Sequence, residues 1–188
     1  MRYLVVCVCF TLSFVLSGCA AVLLTGAGAG AVAAEDRRSV GTLTEDEGIE
    51  IKTASRVADA HKDRAHLNVT SYNRMVLLTG EVPDDKVRHD IERIARAVEN
   101  VRGVTNELAV GAPTTFSNRA NDTYVTSKVK TRFVDGQRFN PVHVKVVTEN
   151  QVVYLLGLVK KQEAKDAVEL ARTTEGVKKV VTVFEYLD

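Results

Sequence analysis

The sequence predicts an α+β protein built from two tandem αββαβ units, each a small mixed three-stranded sheet packed by helices. Three observations lead there: an internal repeat, the same order of helical and strand periodicity in both halves, and glycine or asparagine at matching breaks. His66-Leu67-Asn68-Val69 matches His143-Val144-Lys145-Val146, and Val76-Leu77-Leu78-Thr79-Gly80 matches Val153-Tyr154-Leu155-Leu156-Gly157, both at an offset of 77. Ala95-Arg96 matches Ala171-Arg172, and Val101 matches Val177, at an offset of 76. So little slippage marks two copies of one domain. At the front, Ser55-Arg56-Val57 matches Ser127-Lys128-Val129 at an offset of 72, which places about five extra residues in the second copy around Asp135-Gly136-Gln137.

Ahead of the repeat stand a short basic start (Met1-Arg2-Tyr3), an apolar run from Leu4 to Leu16, and the group Leu16-Ser17-Gly18-Cys19. These are the regions of a secretory signal, too short to span a bilayer alone. The arrangement resembles the bacterial lipoprotein signal, in which Cys19 is acylated and becomes the first mature residue. An uncleaved anchor is the alternative, since apolar character resumes from Ala20 to Ala34. Gly26, Gly28 and Gly30 weaken that run as a helix, by about 1 kcal/mol each. The expected organisation is a signal peptide over 1–18, an acylated stem over 19–43, and domains over 44–112 and 120–188. In lipoproteins of this kind an aspartate after the cysteine favours the inner membrane. Ala20 therefore implies a lipid-anchored protein on the periplasmic face of the outer membrane.

Composition narrows the function. All three cysteines (Cys7, Cys9, Cys19) lie in or at the end of the signal, so the body has no thiol for a disulfide, a metal or a nucleophile. The chain's net charge is +1, without the basic excess that nucleic-acid binding needs. Residues 44–110 carry a net −3 and residues 120–188 a net +2, so the second half is the better match for an anionic surface.

Within each copy the elements follow in order. Residues 49–61 and 122–134 have helical spacing, with Val125, Val129 and Phe133 at i, i+4, i+8. Residues 66–72 and 143–149 alternate as strands, and a second strand follows at 75–80 and 152–157, ending at Gly80 and Gly157. Tyr72-Asn73-Arg74 and Glu149-Asn150-Gln151 supply the hairpin turns, asparagine tolerating a left-handed backbone. A second helix follows, marked by Val87, Ile91, Ile94, Ala95 and Val98 in one copy and Ala164, Ala167, Val168 and Ala171 in the other. Pro83-Asp84-Asp85 suits the start of the first of these. Asn100 and Gly176 stand where a left-handed cap is wanted, and strands at 104–110 and 180–187 complete the units.

Two αββαβ units, each with a hairpin ending in Leu-x-Gly or Leu-Gly and a helix running into a Gly-Val or Asn-Val step, resemble BON domains. The whole chain resembles the dual-BON-domain outer-membrane lipoproteins of Gram-negative bacteria (the DolP/YraP family). The matching stretches include Arg38-Ser39-Val40-Gly41-Thr42, Asn68-Val69-Thr70, Asn121-Asp122-Thr123-Tyr124 and Val144-Lys145-Val146-Val147-Thr148-Glu149-Asn150. Asn100, where the family's domain often has glycine, is a departure. The resemblance implies a non-catalytic protein that binds anionic phospholipid membrane through its second copy. It also implies a role in outer-membrane integrity, with division sites as one place of enrichment.

The residues point the same way. No nucleophile–base pair, paired acids in a cleft or metal motif is apparent, so no enzyme, cofactor or metal is expected. His66 and His143 share a repeat position at a strand start, which suggests a structural role. His89 lies among charges, Asp84-Asp85 reads as helix initiation, and the spacing of His61 and Asp63 carries no mechanism. On the first helix of copy two, Tyr124, Lys128 and Arg132 form a stripe at i, i+4, i+8, flanking the core stripe by about 100°. An aromatic beside two cations suits a lipid headgroup boundary; ordinary packing is the alternative for Tyr124. At the repeat offset used for the first helices, copy one has Lys52 in place of Tyr124 and Thr53 in place of Val125. Lys161 and Lys165, with Lys160, would extend the patch if they face the same way. The rival reading is an envelope scaffold whose sheet faces or strand edges dock a protein, either outer-membrane assembly machinery or division-site envelope proteins such as cell-wall hydrolase regulators.

Overall fold

The computed structural model describes residues 35–187. The signal, Cys19 and most of the expected stem lie outside that range. The first half contains α1 (Val40–His61), β1 (His66–Tyr72), β2 (Met75–Val82), α2 (Asp85–Arg96), β3 (Gly103–Asn106) and β4 (Ala109–Val110). The second contains α3 (Phe116–Gly136), β5 (Val144–Glu149), β6 (Val152–Val159), α4 (Lys161–Arg172) and β7 (Lys179–Tyr186). In each half the hairpin is antiparallel, and the last strand returns to pair parallel with the hairpin's second strand, giving mixed sheets ordered β1-β2-β3 and β5-β6-β7. The final strand expected over 104–110 is broken in two. Leu108 turns into the core, its amide held by the Asn106 side chain, and β4 resumes pairing with β2.

Both long helices begin earlier than apolar spacing suggests. Ser39 caps α1 by accepting from the Thr42 amide at 3.1 Å, and Thr115 caps α3 by accepting from the Asn118 amide at 3.3 Å. Residues 40–43, expected as stem, and 116–119, expected as connection, are therefore helical. Their first turns bury little, so the hydrophobic period does not extend over them, while the capping side chains do mark the starts.

The structure also corrects the repeat register of these helices. The buried positions are Asp46, Ile49, Thr53 and Val57 on α1, and Asp122, Val125, Val129 and Phe133 on α3, each pair 76 apart. The Ser55–Ser127 match is thus one helical turn out of step. The helix offset of 76 and the strand offset of 77 leave one extra residue in the second copy rather than about five.

Asp46 and Asp122 perform the same task in each copy. Each reaches from its helix to the hairpin turn, where both turn residues have positive φ: Asn73 at 51° and Arg74 at 65°, Asn150 at 48° and Gln151 at 65°. That conformation leaves two adjacent amides pointing inward. Asp46 accepts from Asn73 N at 2.8 Å and Arg74 N at 2.7 Å, and Asp122 accepts from Asn150 N and Gln151 N at 2.8 Å each. A buried carboxylate is tolerated because charge-assisted bonds replace its water. Asp46 also accepts from Ser71 Oγ at 2.6 Å and from Arg38 at 3.0 Å. Gly80 and Gly157 are needed for a different reason: a Cβ there would lie 2.0 Å and 2.4 Å from the carbonyl oxygens of His66 and His143. Both strands nevertheless continue two residues past the glycine. Asn100 and Gly176 take the expected left-handed conformation, with φ of 66° and 92°.

One face of each sheet carries the core against its helices, with Val76, Leu78 and Ile91 in the first half and Val153, Leu155 and Ala167 in the second. The other two faces pack on each other, joining Tyr72 and Leu77 to Tyr154 and Leu156 in one apolar seam. Polar contacts rim it. Lys145 donates to Glu50 at 2.9 Å, Asn73 donates to Glu185 at 2.9 Å, and Arg102 pairs with Glu185 at 2.9 Å. Arg37, just before α1, donates to the Leu158 carbonyl at 2.7 Å and to both oxygens of Glu163 at 2.6 and 2.8 Å. The bond from Arg37 holds the Glu163 carboxyl below the usual carboxylate range.

Removing the turn acceptor leaves two partly buried amides unpaired. Asp122→Ala is expected to cost about 3 kcal/mol in urea unfolding. Arg37→Gln should lower stability at pH 7 by about 2 kcal/mol. Because the folded Glu163 carboxyl titrates below its unfolded value of 4.5, that contribution is full above this value and is lost as pH falls through the folded one. The gap between wild type and Arg37→Gln, followed by unfolding at a series of pH values, should therefore close in acid.

Candidate functional site

The outer side of α3 is the surface on which the sequence-derived residues converge. Its inner side is fixed by Asp122, Val125, Val129 and Phe133, so the residues on the opposite side must face outward. Phe116, Tyr124 and Val134 lie there within an arc of about 80°; Phe116 is 81% exposed, Tyr124 62% and Val134 60%. Ala120, Ser127 and Thr131 fill the arc between them and Thr123 adjoins it, all exposed. Arg119 and Lys130 border it on one side, Lys128 and Arg132 on the other. The sequence reading found Tyr124, Lys128 and Arg132. It missed Phe116 and Arg119 because they precede the periodic stretch, and Lys130 and Val134 because they lie off the i+4 stripe.

The cations are not equivalent. Lys128 places its amine 4.8 Å from the centre of the Tyr124 ring and 3.4 Å from Glu175. Arg132 is half-buried and donates to Thr174 Oγ1 at 3.1 Å, tying α3 to the end of α4. In the corrected register Lys52 and Arg56 are their counterparts on α1, and Arg56 likewise donates to the Ala97 carbonyl at the end of α2, at 3.1 Å. Gly48, not Lys52, stands opposite Tyr124, and Ile49, not Thr53, opposite Val125. Phe116 and Val134 correspond to Val40 and Ala58, while Arg119 and Lys130 correspond to Leu43 and Ala54. The aromatic residues and the second cationic border are therefore particular to α3.

Lys161 and Lys165 face elsewhere. They line a recess of about 710 Å³ with Val168, Phe184 and Tyr186, on the β7 flank of α4. Tyr124, Lys128 and Arg132 line another of about 470 Å³ with Thr173, Thr174 and Glu175, between α3 and the end of α4. The five residues thus form two groups rather than one patch.

Among the histidines, His61 bonds Asp90 at 2.9 Å, and His89 is exposed in the same groove. Asp84 caps α2 by accepting from Val87 N at 2.8 Å. His66 Nδ1 lies 2.9 Å from Glu81, which also accepts from the Thr114 amide at 3.1 Å. Glu149 joins them across the seam, and His66, Glu81 and Glu149 offer three ligand atoms within 4.8 Å of one another, the one such group among the described residues. Burial, and then the charge of Glu81, push the Glu149 carboxyl up against the opposing bond from Asn68.

The family model of the BON domain matches residues 45–112 and 121–188, the two halves described above. The chain belongs to the BON-domain family. Outer membrane lipoprotein DolP of Haemophilus influenzae is 41% identical over 176 residues, covering 92% of this chain and 91% of that protein. The 21 kDa hemolysin of Actinobacillus pleuropneumoniae is 33% identical, covering 81% of this chain and 79% of its own. Osmotically-inducible protein Y of Escherichia coli is 28% identical, covering 83% and 80%. None of these names denotes an enzyme. A solved structure of CdsD, a type III secretion protein of Chlamydia trachomatis, aligns over 73% of this chain and 91% of its own at 12% identity and a TM-score of 0.32, too distant to carry an argument. No helix among the described residues of these BON domains is long and apolar enough to cross a membrane.

The tied and the exposed residues of the α3 stripe predict different losses. Arg132→Ala should cost about 1 kcal/mol of stability through its bond to Thr174. Tyr124→Ala, on an exposed face, should stay within about 0.5 kcal/mol. Thermal unfolding of the two variants separates them.

Proposed function

We propose that this protein is a non-catalytic lipoprotein, anchored through Cys19 on the periplasmic face of the outer membrane, whose second BON domain binds anionic phospholipid. The carrying observation is the outer face of α3, where Phe116, Tyr124 and Val134 are exposed between Arg119 and Lys130 on one border and Lys128 and Arg132 on the other. An interfacial helix works this way: apolar and aromatic groups enter the headgroup boundary while cations meet phosphates, at about 1 kcal/mol per cation near an anionic leaflet. Acyl chains on Cys19 would supply the anchoring, at about 0.8 kcal/mol per buried CH₂, so the helix face need only select among lipids. Lys161 and Lys165, beside Phe184 and Tyr186, form a second contact if the domain rolls on the surface. The biological role that fits is maintenance of outer-membrane integrity, with enrichment at division sites where anionic lipid concentrates.

A protein-docking role fits a narrower surface than the sequence suggested, because the sheet faces are covered by each other and by the helices. It would use strand edges or the mixed-charge groove of about 840 Å³ lined by His61, Arg64, Asp84, His89, Asp90 and Arg93 in the first domain. Outer-membrane assembly machinery or division-site envelope proteins would be its partners.

Vesicle co-sedimentation of a soluble fragment starting at residue 36 tests the lipid reading. Anionic vesicles should pull it down and zwitterionic ones should not. Tyr124→Glu should weaken binding at least tenfold, and added salt should weaken the wild type. Equal binding by wild type and Tyr124→Glu would transfer the role to another surface. No binding to either vesicle would leave a protein partner as the better reading.

A further inference from the structure

The sheet seam has two ends related by the internal repeat, and they are built differently. At one end His66 of β1 lies opposite Glu81 of β2 in the strand register, and Glu149 reaches in from β5 of the other half. At the other end His143 repeats His66, Leu158 takes the place of Glu81, and Tyr72 takes the place of Glu149, donating to the His143 carbonyl at 3.3 Å. The histidine thus recurs with the fold. The two carboxylates do not recur at their repeat positions, where a leucine and a tyrosine stand, and the acid near His143, Glu163 at 3.9 Å, is already paired with Arg37. Glu81 is 6% exposed and Glu149 8%, so two acidic side chains have been placed in a seam that does not require them. Buried like charges oppose folding unless a cation or proton accompanies them.

The surrounding groups do not supply that cation in full. Glu149 accepts from Asn68 at 2.7 Å, and Glu81 accepts from His66 and the Thr114 amide. Asp122 of α3, a third acid, is committed to the β5–β6 turn. Arg119 and Lys130 stand on α3 at the recess that opens onto His66 and Glu149, and neither forms an ion pair with these carboxylates. That recess, about 410 Å³ and lined by polar side chains, gives an aqueous ion a way in and leaves room for a water.

We propose that His66, Glu81 and Glu149 form a divalent-cation site, of the Zn²⁺ class, that clamps the two BON domains together. One imidazole nitrogen and two carboxylate oxygens are a donor set suited to zinc, and the two negative charges match the ion. The ligand atoms, within 4.8 Å of one another, must close to about 3.3 Å for tetrahedral bonds of 2.0–2.1 Å, so the ion draws the three side chains inward on binding. His66 then gives up its bond to Glu81, and water from the recess takes the fourth position. Mg²⁺, which prefers an all-oxygen octahedron, fits poorly.

Equilibrium dialysis of the full, tag-free chain in detergent against Zn²⁺, with metal analysis, tests the site. One zinc per chain is expected, retained against excess Mg²⁺. Glu149→Gln is nearly isosteric and can still accept from Asn68, so it should fold; it should weaken zinc binding at least tenfold, as should His66→Ala. His143→Ala, at the other end of the seam, should bind like wild type. Zinc should raise the melting temperature of wild type and not that of Glu149→Gln. Absence of stoichiometric zinc would overturn the proposal. So would zinc binding unchanged in Glu149→Gln, or lost instead in His89→Ala, which would place the ion in the groove beside His61.

Discussion

Two buried aspartates, one per domain, set the geometry from which the rest follows. A hairpin turn with both residues in the left-handed conformation closes β1 onto β2, or β5 onto β6, but leaves its two amides aimed into the domain. Asp46 and Asp122 answer them from a helix whose buried contacts with the sheet are otherwise largely apolar. Apolar packing is non-directional and tolerates a helix that slides or turns. A pair of charge-assisted bonds does not. By fixing the rotation of α3, Asp122 determines that Phe116, Tyr124 and Val134 point outward.

The seam decides which surfaces remain for binding. A three-stranded sheet with helices on one side leaves a second apolar face open, and here each domain covers the other's. Tyr72, Leu77, Tyr154 and Leu156 occupy that position. The faces available to membrane or partner are then the outer sides of the helices and the edges of the strands. Of the two long helices, only α3 combines exposed aromatic groups with cations on both borders. The domains share a scaffold, and their difference is confined to a few outward positions that the scaffold does not constrain.

Much of the fold was legible because its signals are local. The repeat, the strand alternation, the turn asparagines and the glycines at 80 and 157 each depend on a few neighbouring residues. What was hidden depended on distant partners. Asp46 and Asp122 look like ordinary surface acids on a helix, and only the folded hairpin shows what they accept. Without them, the Ser55–Ser127 resemblance drew the helices one turn out of register and set Lys52 against Tyr124. Phe116 is indistinguishable from a connection in the sequence because a helix turn beyond the core has no apolar period. The Tyr124–Lys128–Arg132 stripe was visible, but not that Arg132 is half-spent on Thr174, nor that Lys161 and Lys165 lie across α4 from it. His66, Glu81 and Glu149 come from three strands, and no spacing in the chain announces them.

The face-to-face seam has a consequence for how such a chain could have arisen and how it can be taken apart. Each domain carries on its back a surface that fits a relative of itself, so a single unit would have had reason to pair as a homodimer before duplication. Joining two units through a short connection turns that encounter into an intramolecular one, at an effective concentration in the millimolar range. A modest interface then suffices, and the copies are free to diverge while remaining paired. Cut apart, either half would show Leu77 or Leu156 to water and seek a new companion. The isolated second domain should be handled as a self-associating species, not as a small monomeric lipid reader.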